Sequence, residues 1–523
     1  MNILKFNIPH RKLYIYFLFL LVFGVSLSKP LMSISIIGLT INWLFEGGFR
    51  TKLKKNKSNY YAPLILSTAI LIEFLWLIKT EVFSDGLLDL KTKLPMLFLP
   101  LVIGTSKKLS KQETVGVIFS FFTGLLVSSL LIFAADIHLI ATKNSSGTFR
   151  DISLFMSHIR YSALLSFGVI LLFFLRNKAK HKIYVFILIV WFLYMLYIMQ
   201  SLTGILCLVL GCLLYLIFAL RSKEVKKRIK IAVALGIPIL GIILYSAFIC
   251  IDYNSIKDKN KLTQLPQKTY SGEQYIHDTN NLELENGNYL WINIAPNEVE
   301  KTWNKISNIK FNSKDKLSQP IKYTLYRYLT SKGLKKDREG VISLTTSDIK
   351  NIEKGRTTHV KYNAFEKRIR GVLFEIDNYL KGKKTNNHSL AQRITFLTIA
   401  KQIFKENVLF GKGPGGTKEA YRKFYQENQE VLSHKNQLRA HNQFITQIIN
   451  LGLFGFLIWI ISLTYPILII NNKYNILYLP FLLIIFINFL SDDMLERQAG
   501  VTIFTTINTL LLFGIKKPIL SPD

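Results

Sequence analysis

The chemistry in this chain gathers where a polar segment meets an apolar one. Arg439, His441 and Asn442 stand immediately before a long apolar run, and Arg393 opens an amphipathic stretch upstream. An imidazole titrates near neutrality, which suits a general base. A guanidinium holds phosphate oxygens in a fixed fork. Each residue also has a plainer reading: a structural interfacial histidine, a solvated surface arginine, and for Asn442 a helix cap. Arg160, in MSHIRYSALLSFGVILLFF beside His158 and Tyr161, lies inside an apolar run. A charge there is costly unless it faces a polar cavity or snorkels to the interface. Gly411, Gly413, Gly415 and Gly416 surround Pro414. The turn lacks the Gly-Lys-Ser/Thr ending of a P-loop. It reads as a helix stop or as a set of backbone N–H groups open to a phosphate, with Gly413 and Gly415 the candidates. Glu73 and the cluster Asp492, Asp493, Glu496, Arg497 also fall near membrane level, and the cluster is expected to pair within itself.

The elements that must position these groups are membrane helices. Half of the 523 residues are hydrophobic, and mean hydropathy is +0.27. The apolar residues fall in blocks near the length a helix needs to cross a bilayer. Inside a bilayer the backbone has no water to bond, so helix is required. The expected fold is an all-α polytopic membrane protein with about twelve transmembrane helices. These cover roughly 13–28, 31–47, 61–79, 94–105, 113–135, 153–175, 183–199, 203–220, 231–252, 443–470, 474–490 and 500–514. The expected organisation is an N-terminal membrane bundle over 1–252, a large loop over 253–442 and C-terminal helices over 443–523. The loop, between the ninth and tenth helices, is mixed and partly helical. NYLWINI is its best strand candidate, with ENG and SGE as turns. Thr345 or Thr346 caps a short helix ending near Gly355, and helical spacing predicts amphipathic helices over 363–382 and 390–408. No small-residue cleavage site follows the first apolar run, which reads as an uncleaved first helix.

Net charge is +33. Much of the Lys and Arg sits in short loops between apolar blocks, which points to a membrane surface and away from nucleic acid. Alternate short loops plus both termini hold about two dozen basic residues, and the other loops about six. That asymmetry puts both termini in the cytoplasm and the long loop in the periplasm or its equivalent. Cys207, Cys212 and Cys250 all lie in apolar blocks and form neither a disulfide framework nor a metal-ligand spacing. No metal site and no cofactor are expected.

The run from Arg393 through FGKGPGG to AHNQFITQIINLGLFGFL resembles the signature of the O-antigen ligase and O-antigen polymerase family. SDDMLERQAGVTIFTTINTLLL resembles the C-terminal helix pair of ligase-like members from Bacteroidetes, and TLYRYLTSKGLKKDREGVISL and YLKGKKTNNHSLAQRI resemble the outer loop of one subgroup. The resemblance spans roughly 150 to 515. It implies a metal-independent membrane glycosyltransferase of the bacterial inner membrane, with its active site facing the periplasm. The implied donor is a glycan on undecaprenyl diphosphate, and the acceptor lipid A–core or another glycan. It maps the family's loop arginine onto Arg393 and its loop histidine onto His441. A second family arginine usually stands in a Ser-Arg-Thr-Gly-like element. Here that element is Ser201, Leu202, Thr203, Gly204, without the arginine, and Arg160 on the neighbouring helix is the expected substitute. The expected roles are then His441 as general base and Arg393 with Arg160 on the diphosphate. His158, Arg439, Asn442, Gly413 and Gly415 line the substrate. Inverting displacement is expected, since no paired-carboxylate motif appears. Polymerase and protein O-oligosaccharyltransferase activities share this chemistry. A polysaccharide flippase is the alternative from another class, although no internal repeat is visible.

Overall fold

In a computed structural model the described residues are 9–59, 61–137, 154–177, 181–220, 225–255, 262, 264–380, 389–428, 434, 437–469 and 475–516. About three quarters of them are helical, with almost no strand. The first part runs α1 His10–Gly24, α2 Lys29–Phe45, α3 Phe49–Ser58, α4 Ala62–Trp76, α5 Phe83–Lys93, α6 Pro95–Thr105, α7 Lys111–Asp136, α8 His158–Leu175, α9 Lys182–Ile198, α10 Leu202–Ala219, α11 Val225–Ile231 and α12 Ile237–Asn254. Next come the two-residue strands β1 Leu284–Glu285 and β2 Asn288–Tyr289, then α13 Pro296–Ile306, α14 Ile321–Ser331, α15 Arg338–Ile342, α16 Thr346–Glu353 and α17 Ala364–Leu380. The chain closes with α18 Ser389–Glu406, α19 Gly416–Glu427, α20 Gln443–Ile469, α21 Asn475–Ser491 and α22 Gln498–Thr509. Each of the twelve apolar stretches holds a helix. Five spans among the described residues are long and apolar enough to cross a membrane alone: Ala62–Lys79, Lys111–Asp136, His158–Leu175, Ile229–Asn254 and Gln443–Leu468. They are six if α2 and α3, bent by 110°, make one broken span. By contrast α6 has 11 residues. At about 1.5 Å per residue it covers roughly half a bilayer's hydrocarbon.

The chain divides into two compact units, residues 1–240 with 375–523, and residues 241–374. In the first, α1, α2, α4, α6, α7, α8, α10, α20, α21 and α22 bury a continuous apolar core including Leu18, Leu99, Leu125, Leu165, Trp459 and Phe489. Small residues set the close crossings. A Cβ on Gly124 of α7 would lie 2.3 Å from the Phe23 carbonyl oxygen, and one on Gly204 of α10 would lie 2.5 Å from Ser162 Cβ. One end of this unit gathers three distant segments. Arg11 pairs with Glu113 and donates to the Lys107 carbonyl, and Leu109 N–H donates to the Gly514 carbonyl at 2.8 Å.

The second unit has its own core around Trp303, Leu325, Tyr328, Leu329 and Val341. As expected from the sequence, Thr345 caps α16, in a capping box with Asp348. Tyr328 and Lys332 also bond Asp348, holding its carboxyl below the usual range against the opposing effect of burial. The expected strand NYLWINI is paired at Asn288–Tyr289 and, at its far end, through isolated bridges of Ile294 to Ile276 and Lys336. The ENG turn forms, with Asn286 and Gly287 both at positive φ. Beyond it Leu290 and Ile292 are buried, and Leu290 joins the helical core instead of facing a partner strand.

Candidate active site

The site sits in the first unit and is built on the six residues between α21 and α22. This turn, 492–497, presents three acids in different directions. Asp492 meets Arg160 of α8, with Nε at 2.5 Å from Oδ2 and Nη2 at 3.0 Å from Oδ1. Asp493 meets Arg439, whose Nε lies 2.7 Å from Oδ2. Glu496 meets Lys93 of α5 at 2.8 Å. The expectation of pairing within the cluster is therefore corrected. A short 3₁₀ turn over Met494–Glu496 fans the acids toward basic groups from α5, α8 and the strand-like lead into α20.

His441 stands over Asp493, with Nδ1 3.9 Å from Oδ2 and the imidazole 42% exposed. Its φ is +46°, a left-handed conformation uncommon outside glycine. The conformation holds because both flanks are tied. Asn442 caps α20 by accepting from Ile445 N–H at 3.1 Å and donates to the Leu490 carbonyl at 3.2 Å, while Arg439 is anchored on Asp493. Partial burial lowers the His441 pKa below the ordinary imidazole value, with Arg439 and Arg393 pushing the same way and Asp493 and Asp492 opposing. Burial raises the Asp493 carboxyl, against Arg439 and His441. Arg393, from the first turns of α18, reaches the same place and donates to the Ser491 carbonyl at 3.3 Å.

Below this surface lies a polar layer that the sequence reading did not resolve. Lys93 is fully buried and bridges Glu73 of α4 at 2.7 Å and Glu496 at 2.8 Å. Burial works to raise the Glu496 carboxyl, but Lys93 and Arg439 hold it below its ordinary value. The first turns of α20 carry the matching stripe. Gln443 takes Leu495 N–H at 2.7 Å and donates to Glu496, Thr446 donates to Asp493 at 3.0 Å, and Gln447 donates to Glu73 at 3.0 Å. Gln443, Thr446, Gln447 and Asn450 recur at helical spacing inside an apolar helix. That periodicity was the available signal for a buried polar face. Asp89 of α5 borders the layer, and burial next to Glu496 pushes its carboxyl up to about 7.

The glycine turn has a structural task. Lys412 and Gly413 N–H donate to the carbonyls of Ile449 and Asn450, and Leu453 and Phe454 N–H donate to Val408 and Leu409. These bonds satisfy a break in α20 at Gly452, whose φ is 63° and ψ −175°. Thr417 N–H goes to Asn450 Oδ1 at 3.0 Å. Gly413 packs on Thr80, and Gly415 on the backbone of Asp85 and Gly86. The Lys412, Gly413 and Thr417 amides of this turn are thus already bonded within the protein. His158 begins α8, two residues before Arg160. The start of α10, where Leu202 stands, touches the same helix: Ser201 and Ser162 hydroxyls are 2.9 Å apart, and Ser166 donates to the Gly204 carbonyl at 2.9 Å.

The structure therefore brings together Arg393, Arg439, His441, Asn442 and Arg160 at one turn, and ties Gly413 and Gly415 to the α4–α5 link and the break in α20. Such a cluster offers one half-exposed imidazole backed by a carboxylate, with guanidiniums from three chain segments. It suits proton removal next to a developing anion.

A family model described as O-antigen ligase matches residues 187–460, a little over half of the chain. The match contains Arg393, Arg439, His441 and the glycine turn, and ends before the acidic turn. No curated protein matches the chain.

Proposed function

The chain belongs to the O-antigen ligase family, and from that premise we propose that it moves a glycan from undecaprenyl diphosphate to an acceptor hydroxyl, with lipid A–core as the acceptor, at the periplasmic face of the inner membrane. The observation that carries this reading is the convergence of Arg160, Arg393, Arg439 and His441 on residues 491–493. In the proposed step the acceptor oxygen attacks the anomeric carbon and the bond to the diphosphate oxygen breaks, with inversion. His441 takes the hydroxyl proton on Nε2. Asp493 faces Nδ1 and favours the tautomer that leaves Nε2 free. Arg393 compensates the negative charge that collects on the departing diphosphate. Arg160 contributes from the helix that touches the start of α10, which supports its standing in for the arginine that Leu202 replaces. In this mechanism the arginines supply the positive charge that a metal ion supplies elsewhere.

The test is a deletion strain and its complementation, read on lipopolysaccharide. Loss of long-chain O-antigen with lipid-linked polymer accumulating is the expected result. Core bearing a single repeat would instead mark a polymerase. Complementation with His441→Ala is expected to fail, with transfer in membranes down by about 10²–10⁴-fold. Full transfer by that variant would remove His441 from the chemistry.

A further inference from the structure

A groove of about 430 Å³ opens on the first unit between α2, α5, α6 and the start of α22. Its walls are apolar along its length: Ile36, Ile37 and Ile41 from α2, Leu88 from α5, and Leu94 and Phe98 on the α6 side. The wall hydroxyls are spent internally. Thr40 donates to the Ile36 carbonyl at 2.8 Å, Thr92 to the Leu88 carbonyl at 3.0 Å, and Ser33 accepts from Gln498 at 2.6 Å. Lys91 differs, being exposed at the rim with no ion pair among the described residues. The groove is thus a dry slot with one cation at its mouth, which suits a chain molecule with an anionic end.

Its location decides which such molecule. Lys91 lies two residues before Lys93, and Gln498 two residues after Glu496. Lys93 and Glu496 are the pair, 2.8 Å apart, beneath the acidic turn. The groove therefore borders that layer through two elements, α5 and the start of α22, with exposed Lys91 and buried Lys93 on opposite faces of α5. From there the apolar wall runs along α2 toward Ile41. A lipid seated with its head at Lys91 keeps its tail in the bilayer and its head on α5, the helix whose other face carries Lys93.

We propose that this groove seats the isoprenoid chain of the lipid-linked donor, with Lys91 meeting its diphosphate. The inference rests on the donor class given under Proposed function. It adds where the tail lies and which cation outside the cluster receives the head.

The test uses purified full-length protein in detergent and a long-chain polyprenyl diphosphate carrying a photoreactive group and no sugar, so binding is read without turnover. Adducts are expected on α2 and α6 peptides. Ile37→Trp, which fills the groove, is expected to abolish them. Lys91→Gln is expected to weaken binding roughly two- to fivefold, the size of a partly exposed ion pair. Adducts confined to other helices, or equal competition by phosphatidylglycerol, would overturn the proposal, the second by showing a bulk-lipid surface. A turnover arm separates the two readings. With glycan donors on long and short prenyl chains, Ile37→Trp should raise KM for the long chain alone and leave kcat unchanged. Unchanged KM for both chains, in a protein that transfers glycan, would sink the groove and leave the proposed function standing. Correct adducts in a protein that transfers nothing would do the reverse.

Discussion

His441 is held by opposing charges, and each can be removed separately. In the proposed step neutral imidazole is the working form, so transfer should rise with pH as the ring loses its proton. Because its pKa is lowered, that rise should fall below the ordinary imidazole value of about 6.5. Arg439 pushes the pKa down, so Arg439→Gln should move the acid limb of kcat/KM to higher pH. Asp493 pushes it up, so Asp493→Asn should move the limb to lower pH. Profiles of the two variants shifting in the same direction would contradict the arrangement. Arg160 is read differently. Its ion pair with Asp492 is about 10% exposed on both sides, so removing one partner leaves a buried charge and costs about 3–5 kcal/mol. Arg160→Met alone should lose thermal stability in detergent, and Arg160→Met with Asp492→Leu should recover most of it while transfer stays low. If the double variant transferred glycan like the wild type, Arg160 would be structural only. His441, Arg393 and Arg439 were legible in the sequence because they sit beside a polar-to-apolar boundary. The role of Asp492 and Asp493 was not. Their partners lie more than fifty or three hundred positions away in the chain, and a run of mixed charges reads more simply as pairing with itself.

At the scale of elements, α20 does most of the positioning. Its first two turns bury Gln443, Thr446 and Gln447 against the acids and Asn450 against Thr417, and its break at Gly452 receives residues 408–413. A Cβ at Gly452 would lie 2.4 Å from the Leu409 backbone, on top of the positive φ. Gly452→Ala should therefore destabilise the fold by at least about 1–3 kcal/mol, seen as a lower melting temperature and reduced yield. Lys93 is the second key. Lys93→Met leaves Glu73 and Glu496 facing each other without a cation, with a cost of about 3–5 kcal/mol. Adding Glu73→Gln and Glu496→Gln should restore thermal stability, because an uncharged layer needs no ammonium. Failure of that restoration would mean Lys93 holds the fold through packing instead. Helix existence was readable from apolar block length, and the Thr345 cap and the two amphipathic helices from local spacing. The break in α20 was not, since one glycine in an apolar run is common and only the backbone at 408–413 makes this one necessary. NYLWINI read as a strand because its alternation is real. It is paired only at its two ends, and its buried residues Leu290 and Ile294 pack on a core made largely of helices, which an alternating pattern does not distinguish from a full sheet.

For the whole molecule, the contacts within the first unit and the charge count argue the same topology by independent routes. The starts of α1 and α7 and the end of α22 meet through Arg11, Glu113, Leu109 and Gly514, so these three regions share one side. The charge count independently assigns the N-terminus, the loop at 106–111 and the C-terminus to the cytoplasm. The acidic turn precedes α22 and Gly514 follows it, which supports placing the turn on the side opposite these three regions. Single cysteines test the assignment, since Cys207 and Cys212 are buried and Cys250 lies in an apolar helix. Tyr270 is 96% exposed in the loop unit, and Lys107 is exposed in the first unit, beside the start of α7. In cells with a permeabilised outer membrane, an impermeant maleimide should label Tyr270→Cys at once. It should label Lys107→Cys only after the inner membrane is opened. The reverse pattern would put the His441 cluster in the cytoplasm, away from a periplasmic glycan donor, and the proposed transfer would fail on topology alone.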